Sequence, residues 1–246
     1  MEIKDKIAVV TGGGTGIGRA ITLALAKKGA NVAINYSRSK QEAEEVAREA
    51  ESYGVQVLLC HADVSDNVKV KEMASQVIER FGRVDILVNN AGTTNFVPLE
   101  DLEGMLDEYW ERAFSINVKG MFSVSRAFAE ALRKSKGCIV NITSIAGMNG
   151  MGSSIAYAAS KAAGISVTKS LARVLAPDVR VNSIAPGIVL TRWVEGQDDH
   201  IKNIGSGSLL GRVAYPEDVA DMAVSLIVGG DFVTGQTIIV DGGKTM

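Results

Sequence analysis

The chain has 246 residues, 46% of them hydrophobic and 22% charged, with a formal net charge of −2. That length fits one large α/β domain or two small ones, and the near-neutral balance without a basic block argues against nucleic acid as a partner. The opening "MEIKDKIAVV" lacks an apolar leader with a cleavage site and no apolar run approaches a bilayer span, so a cytoplasmic location with no membrane partner is expected. Cys60 and Cys138 each sit beside an apolar run. They read as buried thiols in a reducing compartment, with no metal site.

In chain order, "KIAVVT", "NVAIN", "VQVLLC", "DILVNN", "CIVNITS", "VRVNSIA" and "TIIVD" are continuous apolar runs, expected of strands covered on both faces. Between them lie amphipathic stretches such as "AITLALAKKG", "SKQEAEEVAREAESYG" and "VKVKEMASQVIERFG", each ending in a glycine that suits a helix C-terminus. This alternation predicts an α/β fold: a single-domain, Rossmann-type, doubly wound parallel sheet of about seven strands with helices on both faces. No linker or low-complexity segment divides residues 1–246, so one dinucleotide-binding domain is expected. One segment breaks the rhythm: residues 190–213, "LTRWVEGQDDHIKNIGSGSLLGRV", polar and without a strand. Following a strand end, it reads as a substrate lid, mobile without ligand.

The first strand runs into "TGGGTGIGRA". Glycines let the backbone approach a pyrophosphate, and the following helix N-terminus supplies free N–H groups and a positive dipole end. Gly12, Gly16 and Gly18 give G-x-x-x-G-x-G, and the G-x-G-x-x-G fingerprint is absent from the stretch. Thr15 and Ile17 lie within the same turn. The second strand ends in Asn35-Tyr36-Ser37-Arg38, with Lys40 next and no carboxylate before Glu42. An acidic residue there would select NAD. Ser37, Arg38 and Lys40 suit a 2′-phosphate instead, so NADP is the expected cofactor, with NAD possible.

The fourth strand ends in "NNAG" (Asn89 to Gly92) and the fifth in "NITS", which puts Ser144 at a site mouth beyond a strand's carboxyl end. Asn117 falls in the helical stretch between them. Next comes "SSIAYAASKAAG", in which Tyr157 and Lys161 stand one helical turn apart among small residues. The same spacing occurs at Tyr36 and Lys40, so the pair alone has little weight. That earlier pair belongs to the ribose end, away from any reacting centre.

Taken together, "TGGGTGIG", "NNAG", Asn117, Ser144, "YAASK", Pro186-Gly187 and the terminal "VDGG" resemble a short-chain dehydrogenase/reductase over essentially the whole chain, closest in look to the 3-oxoacyl-[acyl-carrier-protein] reductase-like members. The resemblance implies a catalytic tetrad of Asn117, Ser144, Tyr157 and Lys161. It also implies that Asp63 and Val64 hold the adenine, Asn90 the nearby ribose region, and Val189 and Thr191 the nicotinamide amide, with Lys161 gripping the nicotinamide ribose and Asn117 holding a water. Tyr157 would be the proton donor in reduction, its pKa lowered by the cation one turn away, and Ser144 would bond the substrate oxygen. The small neighbours Ala156, Ala158, Ala159 and Ser160 would let cofactor and substrate come close.

The expected activity is hydride transfer between NADP(H) and a ketone or secondary alcohol, a 3-oxoacyl or similar small-molecule carbonyl. An NAD(P)-dependent sugar, polyol or cyclic alcohol dehydrogenase, or a non-catalytic dinucleotide-binding protein, are the alternatives. Thr93, Thr94, Phe96, Ile145, Met148, Met151, Val189 and Trp193 are candidate pocket positions, mostly apolar. Carrier-docking reductases tend to show arginines at two helix ends near the mouth, where this chain has Lys134, Lys136 and Pro177-Asp178. Residues 216–229 and the terminal "TIIVDGGKTM" are the elements expected to pair in a homotetramer.

Overall fold

A computed structural model describes residues 1–194 and 207–246. Seven parallel strands form one sheet in the order β3-β2-β1-β4-β5-β6-β7. They are β1 (Ile7–Val10), β2 (Asn31–Tyr36), β3 (Val57–His61), β4 (Ile86–Asn89), β5 (Cys138–Ile142), β6 (Arg180–Pro186) and β7 (Thr237–Val240). The helices are α1 (Gly16–Lys27), α2 (Lys40–Glu51), α3 (Asn67–Phe81), α4 (Asp107–Phe114), α5 (Met121–Ser135), α6 (Ala146–Asn149), α7 (Ile155–Leu175) and α8 (Pro216–Gly229).

The strands are largely apolar because most of their residues have a covered face to enter. Ala8 and Val10 of β1 pack with Ile21 and Leu25 of α1, Val46 of α2 and Ile227 of α8. Val9, between them, points the other way and packs with Val70 and Val77 of α3, Phe128 of α5 and Leu171 of α7. Side chains alternate along a strand, so helices on both sides cover most positions of the central strands. Gly82 closes α3 at φ 73°, a left-handed position a β-carbon would strain.

Strand order reverses between β1 and β4, which opens a crevice at their carboxyl ends. The glycine turn after β1 and the "NNAG" segment after β4 face each other across it, and Ser144 follows β5 on the same edge. Asn117 lies in the helical stretch expected of it, within a six-residue π-helical segment, Ser115–Gly120, between α4 and α5. Such widened turns are uncommon and concentrate at functional sites.

Among the described residues, no helix is long and apolar enough to cross a membrane. Both cysteines are free and buried, and burial pushes their thiols up to about 12 for Cys60 and about 11 for Cys138. At neutral pH neither is a nucleophile. The proposed lid 190–213 lies in part outside the described residues, at 195–206. Its first flank is held by a bridge between Val189 and Ala214. The second is held by Ser208 Oγ donating to the Gly242 carbonyl at 3.0 Å.

Candidate active site

One cleft of about 1860 Å³ runs along the carboxyl edge of the sheet. At its floor the glycine turn is folded on itself: Gly12 and Gly16 have φ of 61° and 52°, and a β-carbon on Gly18 would lie 2.2 Å from the Gly12 carbonyl oxygen. No residue larger than glycine fits at position 18 without opening the turn. The first turn of α1 contains no acidic residue and Thr15 makes no side-chain cap. Among the described residues, the amides of Gly16, Ile17 and Gly18 meet no hydrogen-bond acceptor. Unmet donors at the positive end of a helix dipole suit a pyrophosphate, so the residues present fit a dinucleotide.

Asn90 was expected near a ribose, and the structure gives its amide another task. Its Nδ2 donates to the carbonyls of Thr11 (3.0 Å) and Gly12 (3.1 Å), tying the end of β4 to the glycine turn. Asn90 still lines the cleft, but its amide protons are already used. Asn35 was overlooked in the sequence. Its Oδ1 accepts from Gly12 N at 3.4 Å, while its Nδ2 donates to the Ala62 carbonyl at 2.9 Å and the Cys60 carbonyl at 3.2 Å. This buried amide therefore joins three strand ends beneath the cofactor groove. A buried Asn ending an apolar strand was the available signal, since a polar group there must find partners.

At the far end of the groove, Ser37, Arg38, Asp63 and Val64 all line the cleft. Asp63 Oδ1 accepts from Ser65 N (2.9 Å) and Ser65 Oγ (2.6 Å), which fixes its loop. Lys40 is a correction. Its ammonium lies 3.7 Å from Glu44 on the solvent side of α2, because the i, i+4 spacing draws it along the helix and away from the groove. Arg192, unassigned from sequence, occupies the groove instead. The Tyr36/Lys40 spacing is not a helical one, since Tyr36 ends β2 and Lys40 begins α2.

At the near end, Ser144, Tyr157 and Lys161 meet. Ser154 caps α7 by accepting from Tyr157 N at 3.2 Å, so the helix starts one turn before Tyr157 and aims that ring into the cleft. Ser144 Oγ accepts from Ala146 N at 3.1 Å, which keeps its own proton for the cleft. Lys161 is buried, its Nζ 5.6 Å from the Tyr157 ring centre and 2.9 Å from the Ile142 carbonyl, to which it donates. Burial pulls Lys161 down to about 8. Burial also pushes the Tyr157 phenol up to about 12, against a smaller downward pull from a hydrogen bond with Ser144. The expectation that Lys161 lowers the phenol therefore fails for the free protein. A desolvated ammonium turned onto a carbonyl does not offset what the phenolate loses on leaving water.

Asn117 is wholly engaged. Its Oδ1 accepts from Thr93 N at 2.8 Å, and its Nδ2 donates to the Thr93 carbonyl and to Ser160 Oγ, both at 2.9 Å. Its side chain has no proton left for a water; it pins the loop after β4 to α7. Ala156, Ala158 and Ser160 are another correction. All three are buried, Ser160 Oγ also donating to the Tyr157 carbonyl at 2.7 Å, and none lines the cleft. Elsewhere α7 packs closely on α6: a β-carbon on Gly147 would fall 2.6 Å from Ala162 N.

Thr93, Phe96, Ile145, Met151, Val189 and Trp193 line the cleft, whereas Met148 and Thr94 do not. The Thr94 hydroxyl pairs with that of Ser153 at 2.5 Å, and Met148 faces solvent. Trp193 stands edge-on to Tyr157 with ring centres 6.3 Å apart. Thr191 is close to the glycine turn, its Cγ2 3.2 Å from where a Gly16 β-carbon would sit.

A family model described as enoyl-(acyl carrier protein) reductase matches residues 12–245. The 3-oxoacyl-[acyl-carrier-protein] reductase of Staphylococcus epidermidis is 38% identical, over 98% of this chain and all of that protein; that of Thermotoga maritima is 36% identical over 99% of each. A short chain dehydrogenase from Burkholderia cenocepacia, solved in complex with NADP, superposes with a TM-score of 0.92 at 33% identity over the full length of both. Likeness extending end to end in both sequence and backbone settles the family: the chain belongs to the short-chain dehydrogenases/reductases.

Proposed function

We propose that this protein is an NADPH-dependent carbonyl reductase acting on 3-oxoacyl thioesters or similar ketones. The observation that carries the reading is the meeting of Ser144, Tyr157 and Lys161 at the end of one continuous groove whose other end holds Arg38 and Ser37. The solved relative in complex with NADP and the curated 3-oxoacyl reductases support the cofactor and the substrate class. When bound, the reduced nicotinamide supplies a hydride to the carbonyl carbon.

The chain's own residues do the rest. Ser144 donates its free proton to the substrate oxygen and stabilises the negative charge that builds there. Tyr157 transfers its phenolic proton to that oxygen; a phenol raised to about 12 is fully protonated at neutral pH and a ready donor to an alkoxide. Lys161, beneath the tyrosine, returns a proton to the phenolate left behind. Asn117 holds the Thr93 loop and α7 in register. Val189, Thr191, Asp63 and Val64 line the nicotinamide and adenine ends of the groove. The walls Phe96, Ile145, Met151 and Trp193 favour a substrate with an apolar body.

Residues 190–213 are retained as the substrate lid, and the two buried, unreactive thiols favour the cytoplasm. A homotetramer is proposed on the edge strand β7 and the exposed Val228, Phe232 and Ile239 beside it. Light scattering should return four chains per particle; a monomer would defeat this.

The function is tested by following NADPH oxidation with 3-oxoacyl thioesters on an acyl carrier protein and on coenzyme A, enoyl thioesters, simple ketones, and alcohols or sugars with oxidised cofactor. A 3-oxoacyl thioester should give the highest kcat/KM, and its addition with NADPH should protect 190–213 from hydrogen exchange. Turnover of sugars or cyclic alcohols alone would favour the dehydrogenase reading, and binding without turnover would leave a non-catalytic dinucleotide protein.

A further inference from the structure

The groove's adenosine end contains a charge pairing that NADP recognition by Arg38 and Ser37 does not explain. Arg192 reaches across from the turn after β6. Its Nη2 donates to Ser39 Oγ at 3.2 Å and its Nη1 to Glu42 Oε1 at 3.4 Å. Arg38, Ser39, Glu42 and Arg192 all line the cleft. Glu42 is thus a carboxylate in the wall where an anionic 2′-phosphate must sit, and the guanidinium covering it comes from 150 residues away in sequence. Both side chains are about half exposed, 48% for Arg192 and 46% for Glu42, so the pair is weakly held and easily exchanged. The Ser39 hydroxyl makes no cap to α2, leaving it free as a further donor.

We propose that Arg192 is the second cation of the 2′-phosphate site and that its guanidinium trades Glu42 for the phosphate when NADP(H) binds. A phosphate dianion is the stronger partner for a planar guanidinium, which can bond it through two parallel N–H groups. With NAD(H) there is no phosphate to trade for and Arg192 stays on Glu42. Arg192 then contributes to discrimination between the cofactors and not to dinucleotide binding as such. The proposal rests on the NADPH reading above.

Dissociation constants for NADPH and NADH by fluorescence, and for adenosine 2′,5′-bisphosphate and AMP by calorimetry, test it on the intact protein. Arg192→Ala should weaken NADPH and the bisphosphate by roughly 10- to 100-fold, the range for one charge-assisted contact, and leave NADH and AMP within about twofold. Glu42→Gln should tighten NADPH several-fold, because the competing carboxylate is gone. The double variant Glu42→Gln, Arg192→Ala should remain weak for NADPH. A double variant that binds NADPH like the wild type would overturn the proposal, because Arg192 would then only screen Glu42. Equal losses for NADPH and NADH in Arg192→Ala would overturn it too, since the arginine would only shape the groove. A wild type that prefers NADH, or binds both alike, refutes the cofactor reading itself. Arg38→Ala, which removes the first cation, serves as the comparator.

Discussion

Replacing Tyr157 with phenylalanine is expected to lower kcat for ketone reduction by about 10²–10⁴-fold, with cofactor affinity within about twofold of the wild type. The change removes one oxygen and leaves the ring, so the edge-on contact with Trp193 and the position over Lys161 survive. What goes is the proton donor beside Ser144. The pH profile distinguishes this role from mere packing. Lys161 sits at about 8 and the phenol at about 12 in the free protein, so kcat/KM should fall above about pH 8 as Lys161 loses its proton, well before the tyrosine titrates. The residual activity of Tyr157→Phe should lose that descending limb, since the lysine then has no phenolate to reprotonate. Tyr36→Phe is the internal control and should turn over normally, because that ring stacks near His61 at the opposite end of the groove. Near-normal turnover in Tyr157→Phe would remove this face of α7 from the mechanism.

The second large effect has two signs in one substitution. Lys161→Met should cut kcat/KM by at least about 10²-fold and weaken NADPH, because it removes the cation under the phenol. It should also make the free protein more stable at neutral pH. Burial lowers the lysine from 10.5 to about 8, so between those values the unfolded chain binds more protons than the folded one and wild-type stability rises with pH. Below about pH 8 the folded protein holds a desolvated ammonium, a cost of roughly 3 kcal/mol from the shift alone. Losing the bond to the Ile142 carbonyl returns part of this, so a net gain of roughly 1–2 kcal/mol, or a few degrees in Tm, is expected at pH 7. The gain should shrink as pH rises from about 8 and be gone above 10.5, where the wild type no longer has the penalty. A variant less stable than the wild type at pH 7 would show that Lys161 holds the fold together, and the functional reading of its burial would fall.

The division between what was legible and what was not follows a physical line. Each strand could be located from sequence because a strand covered on both faces is read as a mostly continuous apolar run, as in "KIAVVT" and "CIVNITS". The glycine turn was legible for a similar local reason: close backbone approach and positive φ exclude side chains at Gly12, Gly16 and Gly18. Choosing between Tyr157/Lys161 and Tyr36/Lys40 also began in sequence, from their order relative to strand ends. The structure adds that only the first pair shares a helix.

Other features depend on groups that sequence order keeps apart. Asn90 and Asn35 turned out to fasten the glycine turn because each meets carbonyls of other strands, and an amide's partners are set by the sheet, not by its neighbours in the chain. The engagement of Asn117 with Thr93 and Ser160 needed the π-helical segment, a one-residue change in winding that hydrophobic periodicity does not register. The raised phenol and lowered lysine are consequences of desolvation, which exists only once α7 is packed against β5. The sequence by itself determined the strands, the order of helices and strands and the glycine-rich turn, because these rest on local sterics and on apolar runs, while Ser144, Tyr157 and Lys161 were singled out through the family resemblance. Only the tertiary structure decided which polar groups are spent on holding the site and which remain free for a ligand, and that Arg192 faces Glu42 across the groove, because hydrogen bonds and charges act through space between residues the chain separates.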